Sequence, residues 1–118
     1  MSSLRYVILH HTQIPEAHFD LMIETDPQGP LMTWRSPVWP IAEETNLIQL
    51  KEHRRDYLTY EGPVSNDRGV VARVAQGSCE IEWITRHDLV IKFETQTLHL
   101  NCLDDDHWVA TLDSDKLK

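Results

Sequence analysis

Apolar and polar positions alternate along most of this chain in short bursts separated by turn-forming residues. Phe19, Leu21 and Ile23 share one side of an extended segment, and His18, Asp20, Met22 and Glu24 share the other. The run Tyr6-Val7-Ile8-Leu9 before it is continuously apolar, as in a strand buried on both faces. The pattern predicts strands over 4–11, 18–24, 31–34 and 47–50, another beginning at 58–61, and then 70–75, 79–85, 89–94, 97–102 and 108–112. Pro15 breaks the chain between the first two strands, and Asp26-Pro27-Gln28-Gly29-Pro30 turns it into a hairpin. Residues 35–46, with Pro37, Trp39 and Pro40, read as an irregular loop carrying an aromatic anchor, and Glu52 to Asp56 as one helical turn. Asn66-Asp67-Arg68-Gly69, Gln76-Gly77, Arg86-His87-Asp88, Thr95-Gln96 and Asp104-Asp105-Asp106 separate the later strands, and the tail from Asp113 is expected to fray. Strands recurring at intervals of about ten residues predict an antiparallel all-β sandwich or barrel. Closure into a barrel removes the edges that so many short strands otherwise expose. The expected fold class is therefore a small closed antiparallel β-barrel with short irregular or one-turn helical connections, and residues 1–118 form one domain.

Composition adds bounds. The chain has 118 residues, 41% of them hydrophobic, enough for a core and typical of a globular protein. No apolar run is long enough to span a membrane, and the opening Met1-Ser2-Ser3-Leu4-Arg5 has no export signal, so a monomer in the cytoplasm without a membrane partner is expected. The two cysteines, Cys79 and Cys102, lack ligand spacing and read as buried thiols. A formal charge of −8 argues against a general nucleic-acid binder, whose grip comes from Lys and Arg on phosphates. It leaves room for an enzyme acting on a nucleic-acid end, where a metal ion and a few local cations hold one phosphate.

The chemistry gathers at the front of the chain. An imidazole and a carboxylate two residues apart on one strand face, His18 and Asp20, have the geometry to hold a metal ion. If the first two strands pair, His11 returns beside His18. Two imidazoles and a carboxylate suit Mn, Fe, Co or Zn with open coordination positions. A solvated polar strand face has the same pattern, and with seven histidines in the chain chance alone produces it readily. His87 and His99 read as a turn residue and a polar strand position, and the Asp104–Asp106 turn as a charged turn without a calcium-loop pattern. The four tryptophans read as core or barrel-end anchors, except Trp39, whose loop leaves it free to stack on a base.

Several stretches together resemble a known family. Arg5-Tyr6-Val7-Ile8 with His11, then His18-Phe19-Asp20-Leu21, is similar to the opening of the 3′-phosphoesterase domain of bacterial DNA ligase D, which also exists free-standing. Leu31-Met32-Thr33-Trp34, His53-Arg54-Arg55-Asp56-Tyr57, Tyr60-Glu61-Gly62, Gly69-Val70-Val71 and His107-Trp108-Val109-Ala110 follow in the family's order, so the resemblance covers about residues 4–112. It implies a small closed barrel with a metal site, and removal of a 3′-terminal ribonucleoside and then the 3′-phosphate from nucleic-acid ends in DNA repair. Carried over by position, His11, His18 and Asp20 are the metal ligands, for Mn²⁺ or else Zn²⁺ or Co²⁺. His53 and Tyr57 are the catalytic contacts to the scissile phosphate, His53 as phosphate donor or general acid. The implied partners are primer–template 3′ ends and a separate ligase or polymerase. Met22 stands where the family has an arginine, and the lysine after the tryptophan strand has no counterpart. The loop from His11 to His18 is one residue longer than the family pattern. Arg35, Arg54, Arg55 and Arg68 are the cations near enough in sequence to compensate at the substrate phosphate.

Three readings therefore stand. The first is a metal-dependent 3′-end phosphoesterase. The second is an end-binding module of the same fold whose catalysis has decayed, as Met22 and the acidic charge favour. The third is a small 2-His-1-carboxylate metal enzyme acting on a small molecule, which would take its third ligand from a late strand, at His99 or His107, rather than from His11.

Overall fold

A computed structural model describes residues 4–113. The strands are β1 (Leu4–Thr12), β2 (His18–Glu24), β3 (Leu31–Ser36), β4 (Thr45–His53), β5 (Gly62–Pro63), β6 (Val70–Thr85), β7 (Asp88–Lys92), β8 (Thr97–Asp104) and β9 (His107–Leu112), with a 3-10 turn over Arg55–Leu58. They follow one another around the sheet as β1-β2-β3-β4-β9-β8-β7-β6, and β6 returns to pair with β1. All these pairings are antiparallel, so eight strands close a barrel, as the sequence predicted, and β5 adds a short ninth on β6.

The interior explains the closure. Tyr6, Ile8, Leu21, Ile23, Met32, Trp34, Leu47, Leu89, Ile91, Leu98, Leu100 and Trp108 meet inside one buried cluster. Trp34 and Trp108 cross edge to face at its centre, with ring centroids 5.5 Å apart. The continuous apolar run of β1 has a second destination. Val7 and Leu9 face outward, where Met22, Leu31, Leu58 and Val71 join them in a smaller cluster. The outer wall of β1 and β2 is thus covered too, by the excursion between β4 and β6. That excursion bounds the site described below.

Several expected elements differ. Residues 58–61 are not a strand: the 3-10 turn runs to Leu58, whose side chain is buried in the outer cluster. Glu52 and His53 end β4 instead of opening a helical turn. The expected break at Gln76-Gly77 is absent, because both residues stay paired with β1 (Val7 with Gln76, Tyr6 with Gly77). β6 is one long strand that pairs with β1 over its first part and with β7 over its last. Trp39 packs against Phe93 at near right angles, with ring centroids 5.4 Å apart, and stays partly exposed. Gln96 fastens the same loop by accepting from Ile41 N (3.1 Å) and donating to Ile41 O (2.8 Å). Of the tail expected to fray, everything after Asp113 lies outside the described residues.

Candidate metal centre

Pairing of β1 with β2 sets His11 directly opposite His18, and Leu9 opposite Asp20. Because side chains alternate, His11, His18 and Asp20 all project from the outer face of the wall. His18 and Asp20 are buried, 6% and 4% exposed, and His11 is partly so. His18 Nε2 lies 3.4 Å from Asp20 Oδ1, and His11 Nδ1 lies 3.9 Å from Asp20 Oδ2. One ligand atom from each residue falls within 4.8 Å of the others. Three atoms each about 2.1 Å from a common ion are separated by roughly 3–4 Å, so small side-chain rotations suffice to close around a cation.

The far side of each imidazole fixes its tautomer. His18 Nδ1 donates to the carbonyl of Glu16 at 2.9 Å, and His11 Nε2 donates to the carbonyl of Arg68 at 2.5 Å. A carbonyl only accepts, so each of these nitrogens carries the proton. In the neutral rings the lone pairs of His18 Nε2 and His11 Nδ1 are then left facing Asp20. Backbone carbonyls behind ligand histidines are the usual outer support of a metal site. The buried His18 Nε2 and Asp20 Oδ1 have no hydrogen-bond partner. Such orphaned polar atoms are costly unless something satisfies them, and a divalent cation fits both. The donor set could therefore bind a metal ion.

Gly69 lets the loop reach His11. Its φ is +84°, and a Cβ there would collide with the Thr12 carbonyl and come within 3.1 Å of His11 Nε2. The Asn66-Asp67-Arg68-Gly69 turn, read from sequence only as a connection, thus supplies the carbonyl behind His11. Sequence spacing gave no sign of a contact across 57 residues.

Below the triad is a cleft of about 470 Å³ that gathers several of the residues singled out in the sequence. Arg35, His53, Arg54, Tyr57 and Arg68 line it with His11 and Asp20, and Glu52 adds a carboxylate among the three arginines. His53 and Tyr57 are 5.7 Å apart, edge to face. His53 Nδ1 donates to the Lys51 carbonyl at 2.9 Å, so its Nε2 donates to a phosphate only in the imidazolium form. Arg35 Nε comes within 3.8 Å of Asp20 Oδ1. Met22, 1% exposed, forms part of the floor.

Arg55 is the exception among the expected phosphate contacts. It does not line the cleft. Its guanidinium pairs with the buried Glu24 on β2 and donates to the Gly29 carbonyl at 3.1 Å. Consecutive residues on a tight turn point different ways, so only Arg54 of the pair faces the cleft. Strand alternation put Glu24 on the ligand face, but the sequence assigned it no role. Burial opposes its charge, but hydrogen bonds from Arg55 and the Arg5 backbone N–H, with the charges of both arginines, hold its carboxyl below the ordinary value. The pair fastens the 3-10 turn, and with it Tyr57, to the wall.

The late-strand histidines lie elsewhere. His99 pairs with Asp88, and His107 Nε2 donates to Asn46 Oδ1 at 3.2 Å. Among the described residues the metal-capable grouping takes its third member from His11. Known relatives add little. No family model matches the chain. A stretch of 61 residues, 52% of the chain, is 33% identical to proteins named dipeptidyl-peptidase 5 from Trichophyton equinum and Trichophyton tonsurans. That stretch spans 8% of the length of those proteins. No helix among the described residues is long and apolar enough to cross a membrane.

Proposed function

We propose that this protein is a metal-dependent phosphoesterase acting on the 3′ ends of nucleic acids. The observation that carries the reading is the pairing of two environments at one point. A His-His-Asp triad with backbone-fixed tautomers opens into a cleft whose walls hold Arg35, Arg54, Arg68, His53 and Tyr57. A phosphoester needs a Lewis acid at its oxygens, cations for the charge that develops, and a proton donor or acceptor near the reacting atoms. Order and spacing of the motifs that resemble the ligase D phosphoesterase domain support the same substrate class. A bound divalent ion, Mn²⁺ in this reading, would polarise a phosphoryl oxygen and acidify a bound water. The arginines hold the phosphate, and Tyr57 and His53 orient it from the side facing the 3-10 turn.

Met22 favours a second reading. It places an apolar, buried side chain where the family has an arginine, and that fits a module that binds 3′ ends without cleaving them. A 5′-labelled primer–template with one 3′-terminal ribonucleotide separates the two. Shortening in Mn²⁺ by wild type but not by His18→Ala supports the phosphoesterase. Binding of the primer–template without shortening supports the module. Neither binding nor shortening would sink both.

A further inference from the structure

The triad borders a second cleft, of about 810 Å³, on its other side. The sheet register shows how the two are divided. Asp20, Arg35, Ile48 and His107 form one row across β2, β3, β4 and β9. The cationic cleft lies toward His53 and Tyr57, on one side of this row. The second lies toward the His11–His18 loop and Asn46. His11, Arg35 and Arg68 line both, Asp20 only the first, and His18 only the second. The walls differ in chemistry. Ile14, Pro15, Ala17, Pro37 and Ile48 make the second cleft mostly apolar, Asn46 adds an amide, and Glu16 and Asp67 add carboxylates able to accept from sugar hydroxyls. Ile48 is 40% exposed there, a large apolar side chain facing solvent on a strand.

We infer that this second cleft is the subsite for the departing terminal nucleoside, an inference that rests on the phosphoesterase reading. A nucleoside is uncharged, has flat faces that pack on apolar side chains and polar edges that suit an amide, and fits within a pocket of this size. A phosphodiester carries its two nucleosides on two different oxygens, so they leave phosphorus in different directions. A phosphate held at the triad, with its strand in the cationic cleft, directs its other ester oxygen into the apolar one. Water adds its oxygen to phosphorus, the P–O5′ bond breaks with its electron pair on the 5′-oxygen, and the proton given up by the water balances the one that oxygen gains. The products are a strand ending in a 3′-phosphate and a free nucleoside. Removal of that 3′-phosphate is a second hydrolysis with no nucleoside to seat.

The test uses this asymmetry. Ile48→Ser and Ala17→Trp change exposed positions, one removing apolar contact and the other filling the cleft. Each is expected to lower kcat/KM for ribonucleoside removal, relative to 3′-phosphate removal by the same variant, by about 10-fold or more. An unchanged ratio in both variants overturns the subsite while leaving the phosphoesterase reading intact. In parallel, adenosine is titrated into protein loaded with diamagnetic Zn²⁺, and the isoleucine methyl signals are followed by NMR. Shifts at Ile14 and Ile48 that Ala17→Trp abolishes, together with cleavage by the wild type, support the subsite; the same shifts without cleavage show a nucleoside-binding cleft and overturn its role in a departing step. No shift at either methyl overturns it.

Discussion

Replacing Asp20 by asparagine should produce opposite effects with and without metal. Asp20 is buried, Oδ1 has no hydrogen-bond partner, and its nearest cation, Arg35 Nε, is 3.8 Å away. A carboxylate so poorly compensated costs stability unless something else neutralises it. The amide would keep the shape and remove the charge. In EDTA, therefore, Asp20→Asn should be as stable as wild type or more stable, by up to ~2 kcal/mol. With a divalent cation the order reverses. A ligand at a hundred times its Kd stabilises the fold by ~2.7 kcal/mol. For 118 residues the unfolding entropy is roughly 0.25 kcal/mol/K, so wild type should gain about 11 °C in Tm and the variant little.

Differential scanning fluorimetry with Mn²⁺, Zn²⁺, Co²⁺ and Mg²⁺ across a concentration series reads both effects and ranks the metals. The reasoning fails if Asp20→Asn loses several kcal/mol in EDTA and no divalent cation moves the wild-type Tm. Asp20 would then be a structural carboxylate on a polar wall. Nonspecific cation effects are separated by His18→Ala, which should lose the shift while leaving the carboxylate in place.

Other expectations follow from the supports around the triad. Gly69→Ala should displace the loop that anchors His11 and weaken metal affinity by about 10–100-fold, measured by calorimetry, with a smaller change in metal-free Tm. Glu24→Gln should cost ~3 kcal/mol at neutral pH by urea denaturation. Because the folded-state pKa of Glu24 is lowered, that stabilisation is complete above the ordinary carboxylate range and fades as pH falls through the folded value, so the two proteins should converge in acid. Burial pushes the Cys79 thiol up to about 12, and partial burial with Asp104, Asp105 and Asp106 also raises the more accessible Cys102, so in native protein near pH 8 maleimide should label Cys102 slowly and spare Cys79 until the fold is opened with urea.

The barrel and the triad were legible in the sequence for the same reason. A strand repeats every two residues, so His18 and Asp20 share a face wherever that strand lies, and the turn through Pro15 carries His11 back against His18. What could not be read was contact across long sequence separations. The Arg68 carbonyl behind His11 and the Arg55–Glu24 pair depend on how the segment between β4 and β6 folds over the wall. Period-two reasoning says nothing about such a segment, whose side-chain directions are set by a 3-10 turn and by the consecutive left-handed residues Asn66 and Asp67. Gly77 misled for a related reason. A glycine in a strand signals a bulge or a close approach as often as a break, and here the Glu94 carboxylate occupies the space its side chain would need.

Met22 ties the fold to the electrostatics of the site. Its side chain belongs to the outer apolar cluster with Leu58 and Val71, so the cleft floor is also the packing surface that holds the 3-10 turn down. An arginine there would bring charge to the floor but would have to displace that packing. In this chain the cations stand on the rim instead, and Arg35, Arg54 and Arg68 are all exposed. Rim charges are screened by salt far more than buried ones and hold a phosphate less rigidly. In a protein of net charge −8, long-range attraction for a polyanion is absent as well. If the proposed function holds, recognition of a nucleic-acid end has to come from contacts at the terminus itself: the His11–His18–Asp20 triad, the His53–Tyr57 edge, and the apolar cleft beyond His18.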